Sequence, residues 1–175
     1  FANSKGMHEK ALAIRSEIGD RIGEAMSRNN LANILSLMGD SAAARDMYQS
    51  ALPVFRETGD RNAVATVLSN LGDLVSDEGD LPRAHELYEE SRAVFQELGN
   101  KSSLAHELSR LGDLDLINGD LVPARKKHEE ALALRKQLGE RPGIAESQLA
   151  LAQISLAQQD AISAEAAAKA AVQEF

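Results

Sequence analysis

The sequence predicts an all-α fold of stacked antiparallel helix hairpins, about nine helices in all, and three observations point to it. Gly-Asp stands at 19-20, 39-40, 59-60, 79-80 and 119-120. The chain aligns with itself at a period of 40 residues without gaps. Of the 175 residues, 43% are hydrophobic but only 3% aromatic, with no Trp. The core must therefore be Leu, Ala, Val and Ile, side chains that suit helix packing better than sheets. A chain of this length can bury a core as one domain or as a short stack of units.

Taken in order, the segments alternate between two kinds. "FANSKGMHEKALAIRSEIG" from Phe1 is of the second kind, and "DRIGEAMSRNNLANILSLMGD" from Asp20 is of the first. The second kind recurs from Ser41, Leu81, Leu121 and Ala161, and the first from Asp60, Asn100 and Glu140. Along the first kind, Ala25, Ala65, Ala105 and Ala145 share a column, as do Leu31, Leu71, Leu111 and Leu151. Small Ala32, Gly72, Gly112 and Ala152 follow, then Ile34, Leu74, Leu114 and Ile154. Along the second kind run Ala44, Ala84, Ala124 and Ala164, a Tyr or His column at His8, Tyr48, Tyr88 and His128 ending in Ala168, and small Ala11, Ala51, Ser91, Ala131 and Ala171. Apolar or small residues three, four and seven apart line one side of a helix. The register divides the chain, as a single array, into half a repeat at 1–19, repeats at 20–59, 60–99 and 100–139, and a partial repeat at 140–175. Both ends fall mid-repeat and the first residue is Phe, which predicts a segment of a longer chain.

The junctions have a physical reading. Gly tolerates the left-handed backbone that ends one helix, and Asp caps the free N–H groups of the next. Gly99-Asn100 keeps both roles, Gly139-Glu140 caps poorly but precedes Pro142, and Gln159-Asp160 loses the Gly. Pro82 and Pro123 fall in first turns, where a missing N–H is tolerated. Pro53 falls mid-helix, where a kink is expected.

Composition excludes several functions. A net charge of -8 argues against nucleic acid, which needs a dense basic surface. With no Cys there are no disulfides, thiolate metal sites or cysteine nucleophiles. No apolar run approaches the roughly 20 residues that span a bilayer, and the first residues lack a signal peptide's apolar stretch. A cytoplasmic chain with no membrane contact is the expectation.

The columns resemble the tetratricopeptide repeat, whose pattern pairs Leu-Gly on the first helix with small, aromatic and small positions on the second. Leu71-Gly72, Ala84, Tyr88 and Ser91 carry that pattern, and the resemblance covers the whole chain. The chain departs from it in its 40-residue period against the usual unit of about 34, in lacking Trp, and in His8, His128 and Ala168 at the aromatic position. Long units of this kind are similar to those of sensor arrays in bacterial signalling ATPases and transcription regulators, and of kinesin light chains. The resemblance implies a right-handed superhelix, an α-solenoid, with first helices on a concave face that binds extended peptides or partner helices. Stacked hairpins also leave terminal faces that associate unless capped.

Candidate chemistry is mostly absorbed by structure. His-Glu at 8-9, 85-86, 106-107 and 128-129 begins like a zinc helix motif, but the fourth residue after each His is Leu12, Glu89, Arg110 or Leu132, never a second His. No phosphate-cradling loop and no nucleophile elbow occur, and Asp80 and Asp120 are accounted for as caps. No enzyme, no metal and no cofactor is the expectation.

What remains is the inner side of the first helices. On the family's geometry it carries Asn29, Asn33, Leu37, Thr66, Ser69, Asn70, Asp73, His106, Arg110, Asp113, Glu146 and Gln153, of which Asn29, Asn33, Thr66, Asn70, Asp73, His106, Arg110 and Asp113 are the candidate peptide-binding residues. In family members that clamp a peptide's terminal carboxylate, Asn, Asn and a basic pair come from successive repeats. Asn33, Asn70 and Arg110 match three such positions, while Asn29 and His106 replace lysines, and Asp73 and Asp113 add negative charge. Simple hydrogen bonding of Asn33 and Asn70 between neighbouring helices competes with this clamp. His106, if it lies in the groove, would strengthen binding of an acidic ligand below about pH 6.5. The expected function is a non-enzymatic protein- or peptide-binding scaffold of a larger intracellular signalling or regulatory protein. The alternative is structural self-association through the ends or the outer helices.

Overall fold

In the computed structural model, residues 2–174 are described, and Phe1 and Phe175, the residues at the two mid-repeat ends, lie outside them. Nine helices occur among the described residues: α1 Ala2–Glu17, α2 Arg21–Leu37, α3 Ser41–Thr58, α4 Arg61–Asp77, α5 Leu81–Glu97, α6 Lys101–Asn118, α7 Leu121–Leu138, α8 Arg141–Ala157 and α9 Ala161–Gln173. Each fits the predicted segment. The fold is all-α, of the stacked-hairpin solenoid class. Two compact units form, Phe1–Val94 and Phe95–Phe175, the division falling inside α5.

The first unit packs α2 against α1 and α3, and α3 against α4. Its core is the predicted columns: Ala25, Leu31, Ala32 and Ile34 on α2, Ala44, Tyr48, Ala51 and Phe55 on α3, and Ala65, Leu71 and Leu74 on α4. The second unit pairs α6 with α7 and α8 with α9, and joins them through α7 and α8. Ala105, Leu108 and Ala131 pack together there, with Leu104 and Leu134 beside them. Gly72 is a close-approach position: a Cβ would lie 2.5 Å from Tyr88 Cε1. At Gly112 a Cβ would lie 2.8 Å from His128 Cδ2, so the small column and the Tyr or His column are one packing device.

The junctions behave as read, with two refinements. All seven junction glycines, Gly19 to Gly139, have positive φ. Gln159 takes the same left-handed backbone at φ 61, the one non-glycine to do so among the described residues. Asp20, Asp40, Asp60, Asp80, Asn100 and Asp160 each accept a hydrogen bond from the backbone N–H three residues on, at 2.9 to 3.2 Å. Asp120 starts α7 without such a bond. The expectation that it caps through its side chain is corrected, because the residue three positions on is Pro123, which has no N–H to donate. Glu140 makes no side-chain cap either, as expected. Helix α3 runs unbroken from Ser41 to Thr58 through Pro53.

Candidate functional site

Three side-chain pairings repeat within the hairpins, each joining a first helix to the second helix that follows it. Tyr48 donates its hydroxyl to Asn33 Oδ1 at 2.5 Å. Tyr88 donates to Asp73 Oδ1 at 2.8 Å. His128 Nε2 lies 3.3 Å from Asp113 Oδ1, yet neither ring nitrogen of His128 finds hydrogen-bond geometry. We take the His128 contact as electrostatic proximity without an aligned bond. Asn33 and Asp73 thus anchor Tyr48 and Tyr88 of the aromatic column, whereas Asp113 only lies near His128. A buried Tyr needs such a partner, since an orphaned hydroxyl costs roughly 1–3 kcal/mol.

In the first unit these pairings flank a cleft of about 440 Å³. Asn33, Ser36 and Leu37 come from α2, Tyr48 from α3, Asn70, Asp73, Ser76 and Asp77 from α4, and Tyr88 from α5. Among the described residues that line it there is no Lys, Arg or His. Burial, and then the charge of Asp73, push the Tyr48 phenol well above its ordinary pKa, so it remains a neutral donor. Asn70 Nδ2 donates to Asn29 Oδ1 at 3.2 Å, tying α4 to α2. Asn29 and Thr66 line a second cleft of about 240 Å³ with Met26, Phe55 and Val67, and the Thr66 hydroxyl donates back to the Asn62 carbonyl at 2.9 Å.

His106, Arg110 and Asp113 belong to the second unit, on α6. Arg110 Nη1 is 3.5 Å from the buried Glu107 carboxylate. His106 Nδ1 is 3.4 Å from Arg135 Nη2; a guanidinium only donates, so Nδ1 is the acceptor and the ring is neutral. Desolvation, then the charges of Arg135 and Arg110, lower the His106 pKa, with Glu140 and Glu146 opposing. This runs against the sequence expectation that His106 gains charge near pH 6.5. Of the eight candidate residues, Asn33, Asn70 and Asp73 share one cleft, Asn29 and Thr66 another, and the three α6 residues are engaged within the second unit.

Sequence reasoning missed Arg135. It is 1% exposed and donates through Nη1 to the Gly143 carbonyl at 2.9 Å and the Ser147 hydroxyl at 2.7 Å, with Glu146 at 3.4 Å. Burial lowers its pKa, with Glu146 the first opposing charge. Arg15 does the same three repeats earlier, donating to the Gly23 carbonyl at 2.7 Å and the Ser27 hydroxyl at 2.8 Å. Where the column holds Phe55 instead, the facing residues are Ala63 and Val67. The available signal was that both Arg positions of this column have Gly eight and Ser twelve residues on, whereas Phe55 has Ala63 and Val67, and Phe95 has Ser103 and Glu107.

Hairpin stacking, the small column against the aromatic column and the paired first-helix polar residues define a helical-repeat scaffold. The tetratricopeptide repeat family matches over residues 1–57 and again over 64–98, together more than half of the chain. The chain belongs to that family. No curated protein matches it. Among solved structures it is similar to BtubC (BKLC) from P. vanneervenii, at 25% identity and a TM-score of 0.86, covering 99% of this chain and 72% of that one. It also resembles the nearly identical TPR-like repeats of a Podosopora anserina protein assigned as a kinesin light chain, at 17% identity and a TM-score of 0.73, over 97% and 84% of the two chains. A third likeness is to aspartyl phosphate phosphatase F from Bacillus subtilis, at 13% identity and a TM-score of 0.89, covering 95% of this chain but 44% of that one. The last two carry the fold alone. No helix among the described residues is long and apolar enough to cross a membrane.

Proposed function

We propose that the chain is a non-enzymatic binding module of a larger intracellular signalling or regulatory protein, and that it holds a protein or peptide segment on the first-helix side. The single observation that carries this reading is the cleft shared by Asn33, Asn70 and Asp73. Its side chains are polar and half-buried, and they are held by bonds to Tyr48, Tyr88 and Asn29. Groups oriented in this way lose little freedom on binding, which favours recognition. The family's general use as a protein-interaction scaffold agrees with it, and nothing in the site calls for catalysis or a cofactor.

A carboxylate clamp built on Asn33, Asn70 and Arg110 has weaker support. A carboxylate needs surplus positive charge, whereas Asp73 and Asp77 line the cleft beside Asn33 and Asn70, and Arg110 already faces Glu107.

Self-association is the second reading, favoured by exposed apolar side chains on α1, in the turn after it and on α9. Met7 is 72% and Ile18 71% exposed, and Ile162 85%. Selection of a random short-peptide display library against the protein tests both. The binding reading expects clones that bind the native protein and lose binding to the Asn33→Leu, Asn70→Leu double variant, with circular dichroism showing that the variant is folded. An empty selection, together with light scattering that shows oligomers dispersed by Ile18→Lys or Ile162→Lys, would replace it with self-association.

A further inference from the structure

We propose that the cleft of the first unit receives the primary amide of an asparagine or glutamine side chain from the bound segment. This rests on the peptide-binding reading and names the chemistry of its central contact.

The cleft is a formed concavity of about 440 Å³, large enough for one long side chain. What its wall offers a ligand is set by the bonds already made inside it. The Tyr48 hydroxyl donates to Asn33 Oδ1 at 2.5 Å, which leaves Nδ2 as the donor end of that side chain. Asn70 donates its Nδ2 to Asn29 Oδ1 at 3.2 Å, which leaves Oδ1 as its acceptor end. Neither side chain has another partner among the described residues. Ser36 and Ser76 add hydroxyls, each able to donate and to accept. The Asp73 carboxylate, by contrast, is already met by the Tyr88 hydroxyl at 2.8 Å and by a further partner.

A donor on α2 and an acceptor on α4, both half-buried, therefore line one cleft. A guanidinium or ammonium brings donors only and leaves Asn33 Nδ2 unmatched. A carboxylate brings acceptors only, leaves Asn70 Oδ1 unmatched and adds like charge beside Asp77. An apolar side chain covers both groups and satisfies neither, which is costly. A Ser or Thr hydroxyl carries both roles on one atom, whereas Asn33 and Asn70 stand on different helices. A primary amide carries an acceptor oxygen and a donor nitrogen side by side on one planar group, so it answers both. It is uncharged, and its recognition needs no surplus charge in the wall.

The test is an NMR titration of isotope-labelled protein with N-acetyl-glutamine methylamide. The anionic N-acetyl-glutamate, apolar N-acetyl-methionine and cationic N-acetyl-arginine methylamides are run in parallel, so that all four compounds share the same backbone amides. The expected result is saturable movement of the Asn33 and Asn70 side-chain amide signals with the glutamine compound only, with no loss of affinity on adding salt. Asn33→Asp keeps an oxygen for Tyr48 but removes the donor, and lowers the affinity about tenfold. The comparison among the four compounds is made on the native protein and does not depend on how the variant folds. An equal or stronger response to any of the other three, or a response to none of the four, overturns the proposal. Display-selected peptides that bind through Asn33 and Asn70 without any Asn or Gln also overturn it, while leaving the peptide-binding reading standing. Glutamine-specific shifts with no selectable peptide uphold the amide site and remove the peptide-binding reading.

Discussion

Arg135 at the end of α7 donates to the Ser147 hydroxyl of α8 at 2.7 Å, from a position only 1% exposed to solvent. A buried guanidinium is costly unless its donors are met, and Gly143 makes room for it: a Cβ there would lie 2.8 Å from Arg135 Cδ. Arg-Gly-Ser is thus one of the combinations found in these columns, beside Phe55-Ala63-Val67 and Phe95-Ser103-Glu107, and a Phe facing Gly143 and Ser147 would leave the Ser147 hydroxyl without its donor. Arg135→Phe is expected to cost about 2–4 kcal/mol in urea melts. Adding Gly143→Ala and Ser147→Val should recover at least half of the loss; no recovery would break the pairing argument.

Two glycines separate packing from propensity. Gly6 lies within α1 with nothing near its missing Cβ, whereas at Gly72 a Cβ would meet the buried Tyr88 ring at 2.5 Å. Gly6→Ala should stabilise by about 0.5–1 kcal/mol through helix propensity. Gly72→Ala should destabilise by about 1–2 kcal/mol once that gain is set against overpacking. Thermal melts showing the same sign for both would contradict this account.

The junctions give a graded series. Asp60 accepts from Ala63 N–H at 2.9 Å while Asp120 makes no cap bond. Asp60→Ala should therefore cost about 1 kcal/mol and Asp120→Ala a few tenths. Gln159→Gly should gain about 1 kcal/mol by relieving its left-handed backbone at φ 61. Denaturant midpoints rank the three.

Asp115 and Lys127 form an ion pair at 2.5 Å between α6 and α7, at the positions where α4 and α5 carry Val75 and Leu87. Lys127→Met alone leaves a buried carboxylate unmatched and should cost about 3 kcal/mol. The Asp115→Val, Lys127→Met pair should return close to the native stability, a double-mutant cycle being the measurement.

His106 has a lowered pKa in the folded chain. The unfolded chain therefore takes up its proton first on acidification, so the neutral form's contribution is complete above about pH 6.5. It is lost as pH falls from there through the lower folded value. His106 is an exposed residue, so the effect is modest. Stability of His106→Gln should decline less than that of the native protein between pH 6.5 and 5; parallel declines would remove His106 from the account.

Much of the architecture was legible because a 40-residue register puts equivalent residues in equivalent places. Gly79, Asp80, Leu71 and Ala84 each declared a role by column. The Asp120 cap was misread because capping depends on the donor three residues on, and Pro123 removes it. Asn33 and Asp73 could be put on the first-helix side by spacing. Spacing could not show that Tyr48 and Tyr88, fifteen residues further on in each case, hold them. Arg135 escaped notice because an Arg is expected at the surface, and only its match to Gly143 and Ser147 marks it as buried.

The central claim is that the first-helix cleft, and not the apolar ends, recognises the partner. Chemical-shift mapping of a display-selected peptide on the isotope-labelled protein tests it most directly. The account predicts the largest changes at Asn33, Asn70, Asp73 and Ser76, the residues that line the cleft. Changes confined to the surroundings of Met7, Ile18 and Ile162 would contradict it.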